Sequence, residues 1–199
     1  IDQIKASFKS QGAMAGLAKA SIAAYIGVMG VKKLIAFADA AQRINNRLAV
    51  TLPIGSSTTK IFKQIKDMAM ETRQPFEEVA MMYSRITLAS KRMNVTTKQA
   101  MKTTKLFSKL ITIQGATAHE ARSALTQFSQ SLQAGKLAGD EFRSISENLP
   151  AVLRIIADET GKPIDMLKNM AEQGQLTPAL MIRALLRAEK QINSMFSKT

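Results

Sequence analysis

Histidine and cysteine, the residues most often used for metal binding and nucleophilic catalysis, are almost missing from this sequence. There is no cysteine, which excludes disulfides, thiolate metal sites and cysteine nucleophiles and fits assembly in a reducing cytoplasm. The one histidine, His119, stands beside Glu120 in the first turn of a predicted helix, with no nucleophile next to it. We therefore predict an exposed or capping histidine, and neither a histidine metal cluster nor a histidine-dependent triad.

Acidic residues occur as adjacent pairs, which raises the question of carboxylate catalysis. A glycosidase holds two carboxylates at a fixed separation across a cleft, whereas neighbours on one helix point in different directions. Two of the pairs also suit the positive end of a helix dipole. The glycine-rich run at 135–139 lacks the strand and the spacing of a phosphate loop. We therefore predict a non-enzymatic protein with no catalytic residue, metal site or cofactor. The pairs are Glu77/Glu78, Asp140/Glu141 and Asp158/Glu159.

Lysines recur at helical spacing in the front half of the chain. Residues 1–110 hold 18 Lys or Arg against 6 Asp or Glu, while residues 111–199 hold 10 against 9. A basic surface favours nucleic acid, anionic lipid or an acidic protein wall, although a row of lysines is often only a solvated face. Phe62 and Phe107 have core spacing, so these lysine faces lack aromatic residues to stack bases, and sequence-specific reading is not expected. The candidate electrostatic contacts are Lys60, Lys63, Lys66, Lys98, Lys102, Lys105 and Lys109.

Helical periodicity runs through the chain, and no strand pattern competes with it. The 199 residues, 46% of them hydrophobic, suffice for one sizeable helical domain or two small ones. The predicted class is all-α. A long N-terminal hydrophobic or amphipathic helix is followed by a compact bundle of short helices with tight Gly/Pro turns.

Composition divides the chain into three parts. Residues 1–48 form a predicted apolar helical segment for interaction or membrane contact. A spanning helix needs about 20 apolar residues, and this segment reaches that length only by including a lysine and two glycines. A buried or self-associating helix is favoured, beside a plain amphipathic one. Pro53 and Gly55 mark a linker at 49–57, and residues 58–199 form a helical domain. Because the chain starts at Ile1 without a signal-peptide pattern, we expect an internal portion of a longer polypeptide.

Helix ends in this domain are predicted from capping patterns. A hydroxyl residue followed three positions later by Gln or Glu makes a capping box, and Pro75 suits the first turn of a helix. One such box opens a helix predicted over 97–113. The predicted capping residues are Ser57 or Thr58, the pair Thr96 and Gln99, and the pair Thr117 and Glu120.

The corner segment, residues 132–185, reads as short helices joined by tight turns. Apolar residues stand at helical spacing at Leu149, Val152, Leu153 and Ile156. Glycine just past a helix end and proline just inside a helix start are typical of helix termini. Similar corners at 93–96, 135–138 and 174–177 are 42 and 39 residues apart, which suits stacked helix pairs, although shared helix-hairpin chemistry explains them without duplication. The predicted turn residues are Gly135, Gly161, Gly174, Pro150, Pro163 and Thr177-Pro178.

The order of these turn residues resembles the characteristic domain of phage tail tape measure proteins, from about Asp39 to Leu186 and most sharply from Ala134 onward. The family pattern is Gly-Lys-Leu, then Gly-(Asp/Glu)-Glu-hydrophobic-Arg, a Glu-Asn-x-Pro turn, a glycine, and Gly-x-(Leu/Ile)-Thr. The residues that carry the resemblance are Gly135, Leu137, Gly139, Glu141, Arg143, Pro150, Gly161, Gly174 and Thr177.

The resemblance implies a structural role in a phage or phage-like tail. Such a protein lies in the lumen of the tail tube, sets tail length, nucleates tube assembly with initiator proteins at the tail tip, and is expelled before the genome. The implied partners are the tail-tube protein, the tail-tip proteins and further copies of the chain. Assembly would take place in the host cytoplasm. The alternative is a basic helical module that binds nucleic acid or anionic membrane non-specifically, with transient host membrane or DNA contact.

Overall fold

The computed structural model describes residues 31–53 and 55–199, and these residues are all-α. The helices described are α1 (Val31–Thr51), α2 (Thr58–Glu71), α3 (Phe76–Met93), α4 (Thr97–Ile113), α5 (Ala118–Ala134), α6 (Gly139–Asn148), α7 (Pro150–Thr160), α8 (Ile164–Glu172), α9 (Pro178–Arg187) and α10 (Glu189–Phe196). No strand occurs in these two ranges. The predicted fold class is therefore confirmed for the described residues.

The first described helix, α1, overlaps only the end of the predicted apolar segment. Residues 1–30 of that segment lie outside the described residues. The helix continues to Thr51, beyond the predicted end at residue 48. The N–H of Leu52 still donates to the Leu48 carbonyl (2.9 Å), and Pro53 then disfavours a helical conformation at the residue before it. Among the described helices, none is both long and apolar enough to cross a membrane.

The chain divides into two compact units, residues 1–63 and 64–199, with the division inside α2. Within the second, called here the helical unit, α3 packs against α4 and α5, and α5 packs against α6. The helix α4 also contacts α9 and α10, while α7 contacts α6, α8 and α9.

The rings of Phe107 and Phe128 stack with centroids 4.3 Å apart. Burial raises the pKa of the Tyr83 phenol. The three-part division predicted from composition stays a prediction.

Most side chains predicted to face inward are buried. Phe62 and Phe107 are core residues, as their spacing predicts. The apolar residues at helical spacing in the corner segment, Leu149, Val152, Leu153 and Ile156, are buried as well. Further core residues are Ile65, Met68, Ala69, Val79, Met82 and Ile86, while Ile61 and Ala89 are half-buried.

The predicted helix caps form. The Ser57 hydroxyl accepts from the N–H of Lys60 (3.2 Å). Both capping boxes are complete, since each threonine hydroxyl accepts from the N–H three residues on and the Gln or Glu side chain accepts from the threonine N–H. The helix opened by the first box covers the predicted range 97–113. Pro75 lies just before α3, whose first turn carries Glu77 and Glu78.

Candidate interaction surface

The helix α4 carries four of the seven candidate lysines and is called here the lysine helix. Its apolar face is part of the core of the helical unit, with Leu106, Phe107, Leu110 and Ile111 buried. Burial of that face fixes the rotation of the helix. Lys102, Lys105 and Lys109 are thereby held beside α2 and α10.

Three lysines of this helix differ in what surrounds them. Lys98 is exposed. One turn further on, the Lys102 ammonium lies 2.7 Å from the Glu189 carboxylate on α10, with both side chains partly exposed. The Lys105 ammonium lies 2.7 Å from the Glu71 carboxylate at the end of α2. Two positions of the predicted lysine row are thus already paired inside the protein.

Lys109 is the buried member of the row, with 8% of its surface exposed. Its ammonium donates to the Asn193 side-chain oxygen (2.8 Å) and lies 3.6 Å from the Glu71 carboxylate. It also lies over the Phe196 ring, 4.7 Å from the centroid, at cation–π distance. A buried lysine is stable when opposite charge and hydrogen-bond acceptors replace its water, and all of these partners come from α2 and α10.

The remaining candidate lysines lie on α2. Lys60 and Lys63 are exposed and Lys66 is half-buried. The division between the two compact units falls after Lys63, so the two runs of candidate lysines do not form one set inside the helical unit.

The predicted turn residues of the corner segment end helices and allow the turns to pack closely. Gly135 and Gly161 end α5 and α7 with φ of 78° and 62°, a left-handed conformation that favours glycine. Leu137 and Leu176 are fully buried, and the N–H of Leu137 donates to the Leu176 carbonyl (2.7 Å). Two corners 39 residues apart in sequence, noted for their likeness, are therefore directly joined.

The other residues of the pattern serve the ends of helices. Gly139 and Gly174 also have positive φ, and the Thr177 hydroxyl caps α9 by accepting from the Leu180 N–H. Pro150 is the first residue of α7. Glu141 and Arg143 lie in the first turns of α6, where Arg143 pairs with the neighbouring Asp140 (2.9 Å).

The comparisons with known proteins bear on this same region. The model of a family described as "Tape measure protein" matches residues 32–199. The chain belongs to the tape measure protein family. The resemblance noted in the sequence is confirmed, and a structural role in a phage tail follows from it. Comparison with curated proteins and with solved structures gave no match.

The sequence patterns did not predict the acidic residues that form ion pairs between helices of this tape measure domain. Glu71 and Glu189 neutralise lysines far from them in sequence, and nothing local marks them. Glu78 pairs with Arg122 (3.0 Å) and so links α3 to α5. Of the acidic pairs weighed for catalysis, Glu77/Glu78 and Asp140/Glu141 stand in first turns of helices, where they suit the dipole.

Glu159 has a more specific place in the domain. Its side chain is 7% exposed and accepts from Arg183 (2.7 Å) and Arg187 (3.1 Å), so that it joins α7 to α9. These contacts, led by the Arg183 hydrogen bond and opposed by desolvation, hold the pKa of Glu159 below its ordinary value. Its oxygens are thereby occupied by structural contacts.

A cleft of about 220 Å³ opens beside Glu159. Since that carboxylate is already bound by two arginines, the arrangement lacks an acid free to act with Asp158. In the described ranges no three His, Cys, Asp or Glu side chains come together as a metal site. His119 is exposed beside Glu120, whose capping contacts with Thr117 lower its pKa. The cleft is lined by Ile155, Asp158, Glu159, Ala184, Arg187, Ala188 and Gln191.

Proposed function

We propose that this chain occupies the lumen of the phage tail tube, where it takes part in setting tail length. The family match over residues 32–199 carries the proposal. The net charge of +13 supports it, because a basic filler is attracted to an acidic tube wall. In this role the chain nucleates tube assembly with tail-tip proteins in the host cytoplasm, several copies share the lumen, and all leave before the genome.

The lysines differ in how readily they would serve such a contact. Lys102, Lys105 and Lys109 already have acidic or polar partners within the helical unit. Lys60 and Lys98 project to solvent, the first from α2 and the second from the start of the lysine helix. Contact with an acidic wall should therefore depend more on Lys60 and Lys98 than on the other three.

Co-assembly with the tail-tube protein of the same phage tests this proposal. Charge reversal by Lys60→Glu with Lys98→Glu should reduce co-assembly and make it more sensitive to salt. Arg154→Glu with Lys168→Glu is the matched control, since it reverses two exposed charges in the nearly neutral second half. Equal loss in both variants would point to net charge alone. Failure of the unaltered chain to associate with the tube would contradict the proposal.

The basic composition also favours a second function, non-specific binding of nucleic acid or anionic membrane. Phosphate binding by lysines releases counterions, so affinity for DNA should fall steeply with salt. Titration of arbitrary duplex DNA and of anionic vesicles at two salt concentrations distinguishes the functions. Tight, salt-dependent binding there, without co-assembly with the tube, would favour the second function.

A further inference from the structure

The first and last described helical segments of the helical unit, the end of α2 and α10, meet the same side chain. The Lys109 ammonium contacts Glu71, the last residue of α2. It also contacts Asn193 and Phe196 in the last turn of α10. The first and last helical segments of the unit are therefore held at one point on the lysine helix.

Further contacts support each side of this junction. On the α2 side, Glu71 also binds Lys105, and the Thr112 hydroxyl donates to the Thr72 carbonyl. The Gln74 amide donates to the same Thr112 hydroxyl (3.1 Å). These contacts fix the end of α2 and the residues just after it to the C-terminal half of the lysine helix.

On the α10 side, the contacts also set a direction. Lys102 binds Glu189 at the start of α10, and Lys109 binds Asn193 and Phe196 near its end. Residue numbers rise together along both helices, so α10 runs parallel to the lysine helix. Its C-terminal end consequently arrives where α2 ends.

We propose that Lys109 closes the helical unit into a loop whose two ends lie side by side. Residues 72–195 would span about 190 Å as one continuous helix, but in the closed unit they start and finish at one lysine. For its effect on tail length this proposal rests on the role in setting tail length proposed above. A tape measure chain that contains the closed unit draws almost none of its extended length from these residues.

The closing contacts can open without unfolding the rest of the unit. Of the described residues of α10, only Ile192 is buried, while Met195 and Phe196 are half-buried, so few side chains of this helix lie in the core. Glu71 stays partly exposed and keeps Lys105 when Lys109 is replaced. Methionine at position 109 retains the apolar stem of the lysine while removing the charge. Lys109→Met should therefore release α10 selectively.

Dipolar coupling between two spin labels measures the closure. The chain has no cysteine, so Met70→Cys with Lys198→Cys labels two exposed positions, one on each side of the junction. We expect strong coupling in the unaltered background and a shift to longer, broader distances with Lys109→Met. Lys98→Met, on the same helix but exposed, is the matched control and should change nothing.

A second variant guards against a global effect of the buried substitution. Asn193→Ala with Phe196→Ala removes the α10 side of the junction and leaves Lys109 paired with Glu71, and it should give the same shift. Weak coupling in the unaltered background, or no shift in either variant, would overturn the closure. This measurement needs no tail, so its failure is distinct from a failure to assemble with the tube.

Tail length tests the consequence of closure. Residues inserted in the exposed turn at Lys162, between α7 and α8, should leave the tail length of assembled particles unchanged. A tail length that increases in proportion to the number of inserted residues would overturn the inference that the closed unit does not contribute to tail length.

Discussion

The corner segment and the lysine helix are held in place by different forces. In the corner segment, buried leucines, left-handed glycines and a backbone hydrogen bond between Leu137 and Leu176 join short helices. The lysine helix buries its own apolar face, and Lys102, Lys105 and Lys109 add charged and polar links to α2 and α10, beside the buried Ile192 of α10. The first kind of contact depends on exclusion of water and the second on salt and ionisation.

The corner segment is therefore the apolar framework of the unit, whereas the charged links of the lysine helix are connections that salt or pH can weaken. Both regions attract attention in the sequence, one through its glycines and prolines and the other through its lysines. In the fold, the glycines and prolines serve turns and caps, while three lysines attach the first and last helices of the unit. Loss of an apolar contact in the corner segment should therefore destabilise the unit more than loss of an ion pair on the lysine helix.

The strongest test places a charge in the framework. Leu153 on α7 is 2% exposed, and Leu153→Asp would bury an unpaired carboxylate, at a cost above about 4 kcal/mol. We expect the helical unit to unfold, as measured by circular dichroism during a thermal melt. Arg154→Asp places the same side chain at the exposed neighbouring position and should melt near the unaltered temperature. An unchanged melt for Leu153→Asp would mean that this face of α7 is not in the core.

Truncation at the joined corners should have the next largest effect. Leu176 is fully buried, and Leu176→Ala keeps the backbone hydrogen bond to Leu137 while it leaves a cavity. The free energy of unfolding should fall by about 2–5 kcal/mol, measured by urea denaturation. Leu180→Ala is the control, since that leucine is only half-buried and should cost less. An equal fall in the free energy of unfolding for both variants would show that the corner is packed no more closely than its surroundings.

Glu159 is an ionic contact inside the corner segment and therefore sharpens the comparison. Glu159→Gln should lower the free energy of unfolding at neutral pH by about 1.5 kcal/mol, as for a hydrogen bond to a charged group. Because folding lowers its pKa, this stabilisation is present above the unfolded value of about 4.3 and is lost as pH falls through the lower folded value.

The pH dependence itself is measured by urea denaturation at several pH values. The difference between the unaltered chain and Glu159→Gln should shrink steadily below about pH 4.3. Glu172→Gln, at an exposed position, controls for the loss of one charge. A difference that stays constant into acid would mean that the arginines do not stabilise the ionised form.

The smallest effect is expected for the ion pair between Lys102 and Glu189. Both side chains are more than a third exposed (40% and 35%), so water weakens their attraction to less than about 1 kcal/mol. A double-mutant cycle with Lys102→Met and Glu189→Gln should give a small coupling energy that decreases with added salt. A coupling energy that is large and insensitive to salt would remove the contrast with the corner segment.

Local features of the fold could be predicted because their causes lie within a few residues. The capping boxes at Thr96 and Thr117 depend on side chains three positions apart, and both form. The predicted helix end at residue 48 is too early, because the residues after Leu48 are compatible with a helix, and α1 continues to Thr51, just before Pro53. The similar corners at 135–138 and 174–177 were visible in the sequence, but their direct contact was not.

The sequence by itself determined the all-α class of the described residues, most of their helix ends and buried faces, and the family resemblance. These depend on helical periodicity, capping chemistry and residue order, which act along the chain. Only the tertiary structure decided that Lys102 and Lys109 meet partners 87 and 84 residues away, and that Glu159 is bound by two arginines. Such pairs form when the apolar core fixes how the helices pack, so no pattern of neighbouring residues predicts them.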